Sequence, residues 1–233
     1  MINSLKRSLL DAGAVWLSMF VLGSGLGVMV ASSGLPWWVA PLLSGSVYAG
    51  SVEFLLVGLL VVAAPLSTIA MTTLLVNSRH LFYGLSFPLH RVRGPGKLYS
   101  IFALTDEAFA LAATRDPRQM NHGWILWTQI GLQLCWISGS ITGVIIGSTL
   151  LQDVRGLDFI LTALFITLAM DAYRHNPDRS TLASAALLGI VASLLSSQHM
   201  LVVAMAAFAV FLLVRYWLGQ RKQPAAQDDS HAG

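Results

Sequence analysis

The stretch "PLSTIAMTTLLVNSRHLFYGLSF", Pro65 to Phe87, decides how this chain is read. Its first half, "PLSTIAMTTLLV", sits in hydrocarbon without difficulty. Then Asn77, Arg79 and His80 interrupt, and apolar residues return. A charged group near the centre of a bilayer costs on the order of 3 kcal/mol or more. A chain that keeps a guanidinium and an imidazole there has to face them inward, pair them or wet them. The stretch therefore predicts a membrane segment with a polar interior contact, in which Asn77 satisfies either a helix break or a neighbouring carbonyl.

Working outward, the composition agrees. Of 233 residues, 55% are hydrophobic and only 11% charged, and mean hydropathy is +0.69. A soluble domain carries about 25% charged residues to keep its surface wet. Apolar runs recur from end to end, so the expected fold is all-α: a polytopic transmembrane helical bundle of about 6–8 membrane segments. Net charge is +3 with His neutral, but the Lys and Arg lie between apolar runs and report topology, not a nucleic-acid partner. Cys135 is the only cysteine, which excludes an internal disulfide and a cysteine metal cluster. The six histidines are scattered without HExxH spacing, so no metal is expected. "GSGLG" follows no strand, and there is no Walker A motif or evident Ser-His-Asp arrangement. No enzyme activity and no cofactor are predicted.

The expected spans begin with about Leu9 to Ala31, an uncleaved first helix behind Lys6 and Arg7. "SSGLPWW" reads as an interfacial turn. Val39 to Ala64 is broken by "SGSVYAGSVE", and Pro65 to Phe87 follows. The basic loop "PLHRVRGPGK" leads to "LYSIFALTDEAFALAA", which is short for a span. Gly123–Leu151, Leu157–Tyr173, Thr181–Leu195 and Leu201–Trp217 complete one transporter domain over 1–218. The polar tail 219–233 is expected to be disordered. Lys6/Arg7, Arg91/Arg93/Lys97 and Arg215/Arg221/Lys222 should all be cytoplasmic. That works if Val39–Ala64 breaks at "YAG" and returns to the side it came from.

Small residues suggest internal repetition, near 9–87 and 123–197. Gly23, Gly27 and Ala31 are spaced by four, as are Gly139, Gly143 and Gly147, at an offset of 116. "PLSTIAMTTLLV" resembles "RSTLASAALLGI" at an offset of 114. Transporters are commonly built from two repeats with the site at their interface. Chance among abundant glycines and alanines is the competing explanation.

Glu53, Arg79, His80, Asp106, Glu107 and Asp171 lie in or beside apolar runs. Arg79 either pairs with Glu53 or grips a substrate carboxylate with its fork. His80 either donates to a backbone carbonyl or carries a coupling proton. In "TDEAF", Thr105 or Asp106 caps a helix, or Asp106 and Glu107 meet an amino group. Asp171 and His199 read as interfacial or turn residues. Small residues in "SGSVYAGSVEF" free backbone groups, so Tyr48, Gly50 and Ser51 are candidate lining of a site; tight helix packing is the alternative.

"YAGSVEF" (48–54), "NSRHLFYGLS" (77–86) and "TDEAFA" (105–110), in this order and spacing, resemble the three signature stretches of the AzlC family. The resemblance covers nearly the whole chain except the tail. It implies the large subunit of a two-component exporter of branched-chain amino acids (leucine, isoleucine, valine and also methionine). Such an exporter is a multi-pass protein of the bacterial inner membrane, works with a small AzlD-type membrane subunit, and is driven by protons. Position 53 is a departure: many relatives resemble "YAGxxQF", with Gln where this chain has Glu. Combined with the physics, the resemblance makes Arg79, Glu53, Tyr48, Gly50, Ser51, Asp106 and Glu107 the expected substrate-binding residues, with His80 or Glu53 coupling the proton. Export of another small metabolite, or a non-transporting membrane assembly subunit, are the competing functions.

Overall fold

The computed structural model describes residues 2–149, 177–195 and 200–221, with a few positions between 162 and 174. The described residues are helical and irregular, without strands. Among the described residues two helices are long and apolar enough to cross a membrane: α1 (Ile2–Ser32) and α8 (His122–Thr149). Between them lie α2 (Val39–Ser46), α3 (Gly50–Val61), α4 (Leu66–Asn77), α5 (Arg79–Ser86), α6 (Pro95–Phe102) and α7 (Asp106–Ala113). Further on come α9 (Arg179–Leu195) and α10 (Met200–Arg221).

The small residues spaced by four bring α1 and α8 together. Among helices in lipid, missing side chains let backbones approach and gain dispersion contact. A Cβ on Gly23 would sit 2.5 Å from the Trp136 carbonyl oxygen, and one on Gly147 would lie 2.8 Å from the Ala31 Cβ. Gly27 faces the Ser140 carbonyl and Gly143 that of Ser24, with no room for a side chain. Near the start of the pair, Ser8 Oγ donates to the Trp124 carbonyl (3.2 Å) and Trp16 Nε1 to that of Thr128 (3.2 Å). Partner numbers rise together along both helices, so α1 and α8 run parallel. The contacts also exchange under the offset of 116: Gly23 on Trp136 is answered by Gly139 on Phe20, and Gly27 on Ser140 by Gly143 on Ser24.

Parallel packing puts the N-termini of α1 and α8 at one end. The basic loop joins them there. Arg91 Nη1 donates to the carbonyls of Pro117 (2.6 Å) and Met120 (2.8 Å), and the Arg93 amide to His122 Nδ1 (3.2 Å). Arg115 pairs with Asp11 and lies over the Trp124 ring, 4.6 Å from its centroid. The 88–97 loop thus shares the end that carries Lys6 and Arg7.

The short helices form two hairpins from opposite ends. Gly96 in α6 abuts Leu126 and His122, and farther along Tyr99 donates to Gln133 Oε1 (2.8 Å). The chain turns at Ala103–Thr105, where Gln129 Nε2 donates to the carbonyls of Ser100 (2.9 Å) and Ala103 (3.1 Å). Then α7 returns, packing Ala112 with Trp124 and Met120. From the other end, α2 leaves the C-terminus of α1 and reaches the level of Trp136, half-way along α8, at Tyr48–Glu53. The following α3 returns to its starting end. The reason is length: α4 and α5 together extend up to about 30 Å and finish at Phe87, which packs with Trp124 and Ile125 at the N-terminal end. Their beginning, directly after α3, lies at the far end.

The run Pro65–Phe87 breaks beside Asn77: at Ser78 the hydrogen bonds tighten to three-residue spacing (Ser78 N to Leu75 O 3.4 Å, Leu81 N to Ser78 O 3.2 Å). Two sequence expectations change. Gly219–Arg221 continue α10, so the start of the expected disordered tail is helical. The first helix begins at Ile2, ahead of Leu9, because Lys6 and Arg7 extend it at its polar end. The expected span Leu157–Tyr173, Asp171, His199 and the rest of the tail lie outside the described residues.

Candidate functional site

All three signature stretches fall at helix breaks. The first is Val47–Ala49, between α2 and α3. Tyr48 is 3% exposed and holds φ at 46°, a left-handed conformation disfavoured for a bulky residue. Such strain costs about 1–3 kcal/mol and persists where the surroundings over-determine it. Here the Tyr48 amide donates to the Leu43 carbonyl (3.2 Å), and the ring packs against Phe102 (centroids 6.1 Å, 36°). The Tyr48 hydroxyl is buried with no hydrogen-bond partner among the described residues.

Glu53 lies five residues on, fully buried, in the first turn of α3. Its carboxylate accepts from the Ala49 amide (2.9 Å), from Trp136 Nε1 at both oxygens (3.1 Å) and from Ser44 Oγ (3.3 Å). These partners are neutral donors. Two of them cannot accept, so a proton arriving on Glu53 can be donated only to the Ser44 hydroxyl. The carboxylate ties together α2, the break, α3 and α8, and it sits at a helix start where negative charge is favoured. Gly50 lies flat on the Trp136 indole, where a Cβ would be 3.2 Å from Cη2. Ser51 is half-buried beside it.

The second break is Asn77–Ser78. Asn77 Oδ1 is buried without a hydrogen-bond partner among the described residues, while the Asn77 carbonyl faces His80 Nδ1 at 3.2 Å. That is the local backbone contact allowed for in the sequence reading. The His80 ring meets Tyr83 edge-on (5.4 Å, 70°), and Tyr83 stacks on Phe109 of α7 (4.5 Å, 14°). Arg79 opens α5; its side chain, and with it the expected pairing with Glu53, lies outside what is described.

The third break is Ala103–Thr105. Thr105 Oγ1 accepts from the Ala108 amide (3.4 Å), so Thr105 caps α7. Asp106 and Glu107 fill its first turn, where carboxylates are favoured by the helix dipole. One apolar cluster carries all three breaks: Tyr48 and Val52 from the first, Val76 from the second, Ala103 and Ala108 from the third.

Sequence reading missed Trp136 and Phe102 at this centre, and it took Ser44 only as one of the small residues that loosen the helix. A signal was present for Trp136: its indole N–H needs an acceptor when buried, and it lies three residues before Gly139 in the close-contact stripe. No group of three His, Cys, Asp or Glu able to hold a metal occurs among the described residues.

The family model described as AzlC protein matches residues 14–150, a segment that contains all three breaks. The chain belongs to the AzlC family. Among the relatives of this AzlC chain is an uncharacterized membrane protein of Helicobacter pylori strain J99, 30% identical over 208 residues, 86% of this chain and 90% of that one. The branched-chain amino acid transport protein AzlC of Bacillus subtilis strain 168 is 35% identical over 163 residues, 68% of this chain and 64% of that one. The inner membrane protein YgaZ of Escherichia coli K12 is 26% identical over 192 residues, 78% of each chain. No solved structure matches. With relatives named as membrane proteins and two helices of spanning length, this AzlC chain is a membrane protein.

Proposed function

We propose that this AzlC-family chain exports branched-chain amino acids across a bacterial inner membrane, together with a small AzlD-type membrane subunit, using the proton gradient. The observation that carries this is the meeting of three motif-bearing helix breaks on one buried cluster, two of them at the tips of hairpins that enter from opposite ends and the third between α4 and α5. Interrupted helices at membrane depth are tolerated where they line a cavity or are buried in protein, and they supply the polar ends that bind charged groups.

A zwitterion needs a cation or amide N–H groups for its carboxylate and an anion for its ammonium. Arg79 and the Gly50–Ser51 backbone would take the carboxylate. Asp106 or Glu107 would take the ammonium, since the Glu53 oxygens already accept from three neutral donors. Aliphatic side chains would lie against the apolar cluster. Protonation of Glu53 would turn the Ser44 hydroxyl from donor to acceptor and loosen the joint between α2 and α3, with His80 as the alternative proton carrier. In this reading α1, α8 and α4–α5 cross the membrane, α9 and α10 form a further hairpin, and α2–α3 and α6–α7 are re-entrant. The exchange of contacts between α1 and α8 favours two internal repeats.

The test is efflux of labelled leucine, valine, methionine and lysine from proteoliposomes, with and without the small subunit and the proton gradient. Leucine and valine should leave and lysine should stay. A complete complex that moves no branched-chain amino acid overturns the proposal. Arg79→Lys, which keeps the charge and loses the fork, should abolish efflux; unchanged efflux removes the carboxylate role.

A further inference from the structure

A cavity of about 550 Å3 lies at the N-terminal end, away from the three breaks, between the end of α5 and the end of α7. Its size is that of a small-molecule site. Phe87, Phe109, Ala112 and Met120 give it an apolar wall, and its charged or titratable lining is Arg91, Arg115 and His90. Among the described residues no carboxylate lines it. A second hollow shares His90, Arg91 and Met120 and adds Arg93 and His122, again without an acid among the described residues.

The two guanidiniums differ. Arg115 is spoken for, paired with Asp11 and stacked on Trp124. Arg91 has one nitrogen, Nη1, fixed to the carbonyls of Pro117 and Met120. Those carbonyls hold the group in place without neutralising it. A positioned, uncompensated cation beside an apolar wall selects an anion with an apolar body. An ammonium on the same ligand would meet two guanidiniums and an imidazole, with the Ser86 hydroxyl and helix-end carbonyls as acceptors but no carboxylate among the described residues.

We propose that this cavity binds a small aliphatic monocarboxylate, with the carboxylate on Arg91 and the hydrocarbon against Phe87, Phe109 and Met120. The site discriminates against amines, unlike a site for an amino acid, and it is independent of the transport reading. A bound ligand spans from α5 to α7 and so braces the returning arm of the α6–α7 hairpin. The same chemistry, an anionic head on an apolar chain, is carried by an acidic lipid, and the experiment separates the two sources.

The full-length chain in phosphatidylcholine nanodiscs is titrated with radiolabelled 4-methylpentanoate. Saturable binding is expected, with no competition from 3-methylbutylamine and competition by leucine at least about tenfold weaker than by the unlabelled acid. Arg91→Gln should weaken binding at least about tenfold. Because Arg91 also holds two carbonyls, Ala113→Met serves as the second variant: it fills the cavity from an exposed position and leaves Arg91 intact, and it should also abolish binding. If acidic lipid is the occupant, phosphatidylglycerol in the nanodiscs competes with the acid, and native mass spectrometry finds it retained by the wild type and lost from Ala113→Met. The proposal is overturned if neither the acid nor the lipid binds, if both variants bind as the wild type does, or if leucine or the amine competes as well as the acid.

Discussion

Replacing Glu53 tests whether its hydrogen bonds or its charge hold the first break. In Glu53→Leu the Ala49 amide and Trp136 Nε1 lose their acceptor in a fully buried place, while Ser44 can turn its hydroxyl to its own helix. Each orphaned buried donor costs about 1–3 kcal/mol, with measured values inside membranes at the lower end. Two of them predict a loss of about 2–4 kcal/mol, enough to release the strained Tyr48 turn. Glu53→Gln keeps an oxygen for the Ala49 and Trp136 donors, and its amide can donate to Ser44 Oγ. The expected loss is below about 1 kcal/mol. The assay is thermal loss of the monodisperse peak of detergent-purified protein, with denaturant midpoints as a second measure. The order should be wild type, then Gln close behind, then Leu far below. Gln as damaging as Leu would refute the reasoning, because a neutral acceptor would then fail to replace the carboxylate and a cation would have to be its real partner.

Three further outcomes follow from the geometry. Gly27→Leu or Gly143→Leu should prevent recovery of folded protein in membranes, since each faces a backbone carbonyl across the α1–α8 contact; Gly45→Ala, with open space around it, should express normally. A cysteine pair at Tyr48 and Phe102, in a Cys135→Ser background and bridged by a bifunctional maleimide that spans the place of the two rings, should join the hairpin tips and stop efflux; cross-linked protein that transports at full rate would mean the tips never part. The Thr181 hydroxyl, then the Thr181 amide and Arg215, hold the Asp178 carboxyl down to about 2. A depressed acid stabilises the fold above its unfolded value of about 3.9. That stability should therefore drain away between about pH 4 and 2 in thermal melts, and Asp178→Asn should remove this part of the pH dependence.

The fold was legible where it depends on solvent and spacing. Too few charges exclude a soluble surface whatever the topology, and glycine every fourth residue marks a helix face that lets another backbone approach. Hence the α1–α8 stripe and the break at "YAG" could be read directly. The capping role of Thr105 was also local, needing only the residues after it. The Ser78 break was legible only as one of two readings of Asn77, because Ser78 keeps helical dihedrals and no Gly or Pro marks the place. The surrounding of Glu53 was not legible. Sequence offered Arg79 as its partner, but Ser44, the Ala49 amide and the Trp136 indole surround it in space, and Trp136 lies 83 positions away.

By itself, then, the sequence determined that this chain lives among helices in lipid, that its second apolar run breaks at "YAG", and which residues bear charge in those runs. Those are matters of transfer free energy and local backbone preference, which each segment expresses alone. Only the tertiary structure decided that α1 and α8 run parallel, that the two hairpins enter from opposite ends, and that Tyr48 meets Phe102 at their tips. Such contacts join residues far apart in the chain, and nothing local in either partner specifies the distance or direction of the other.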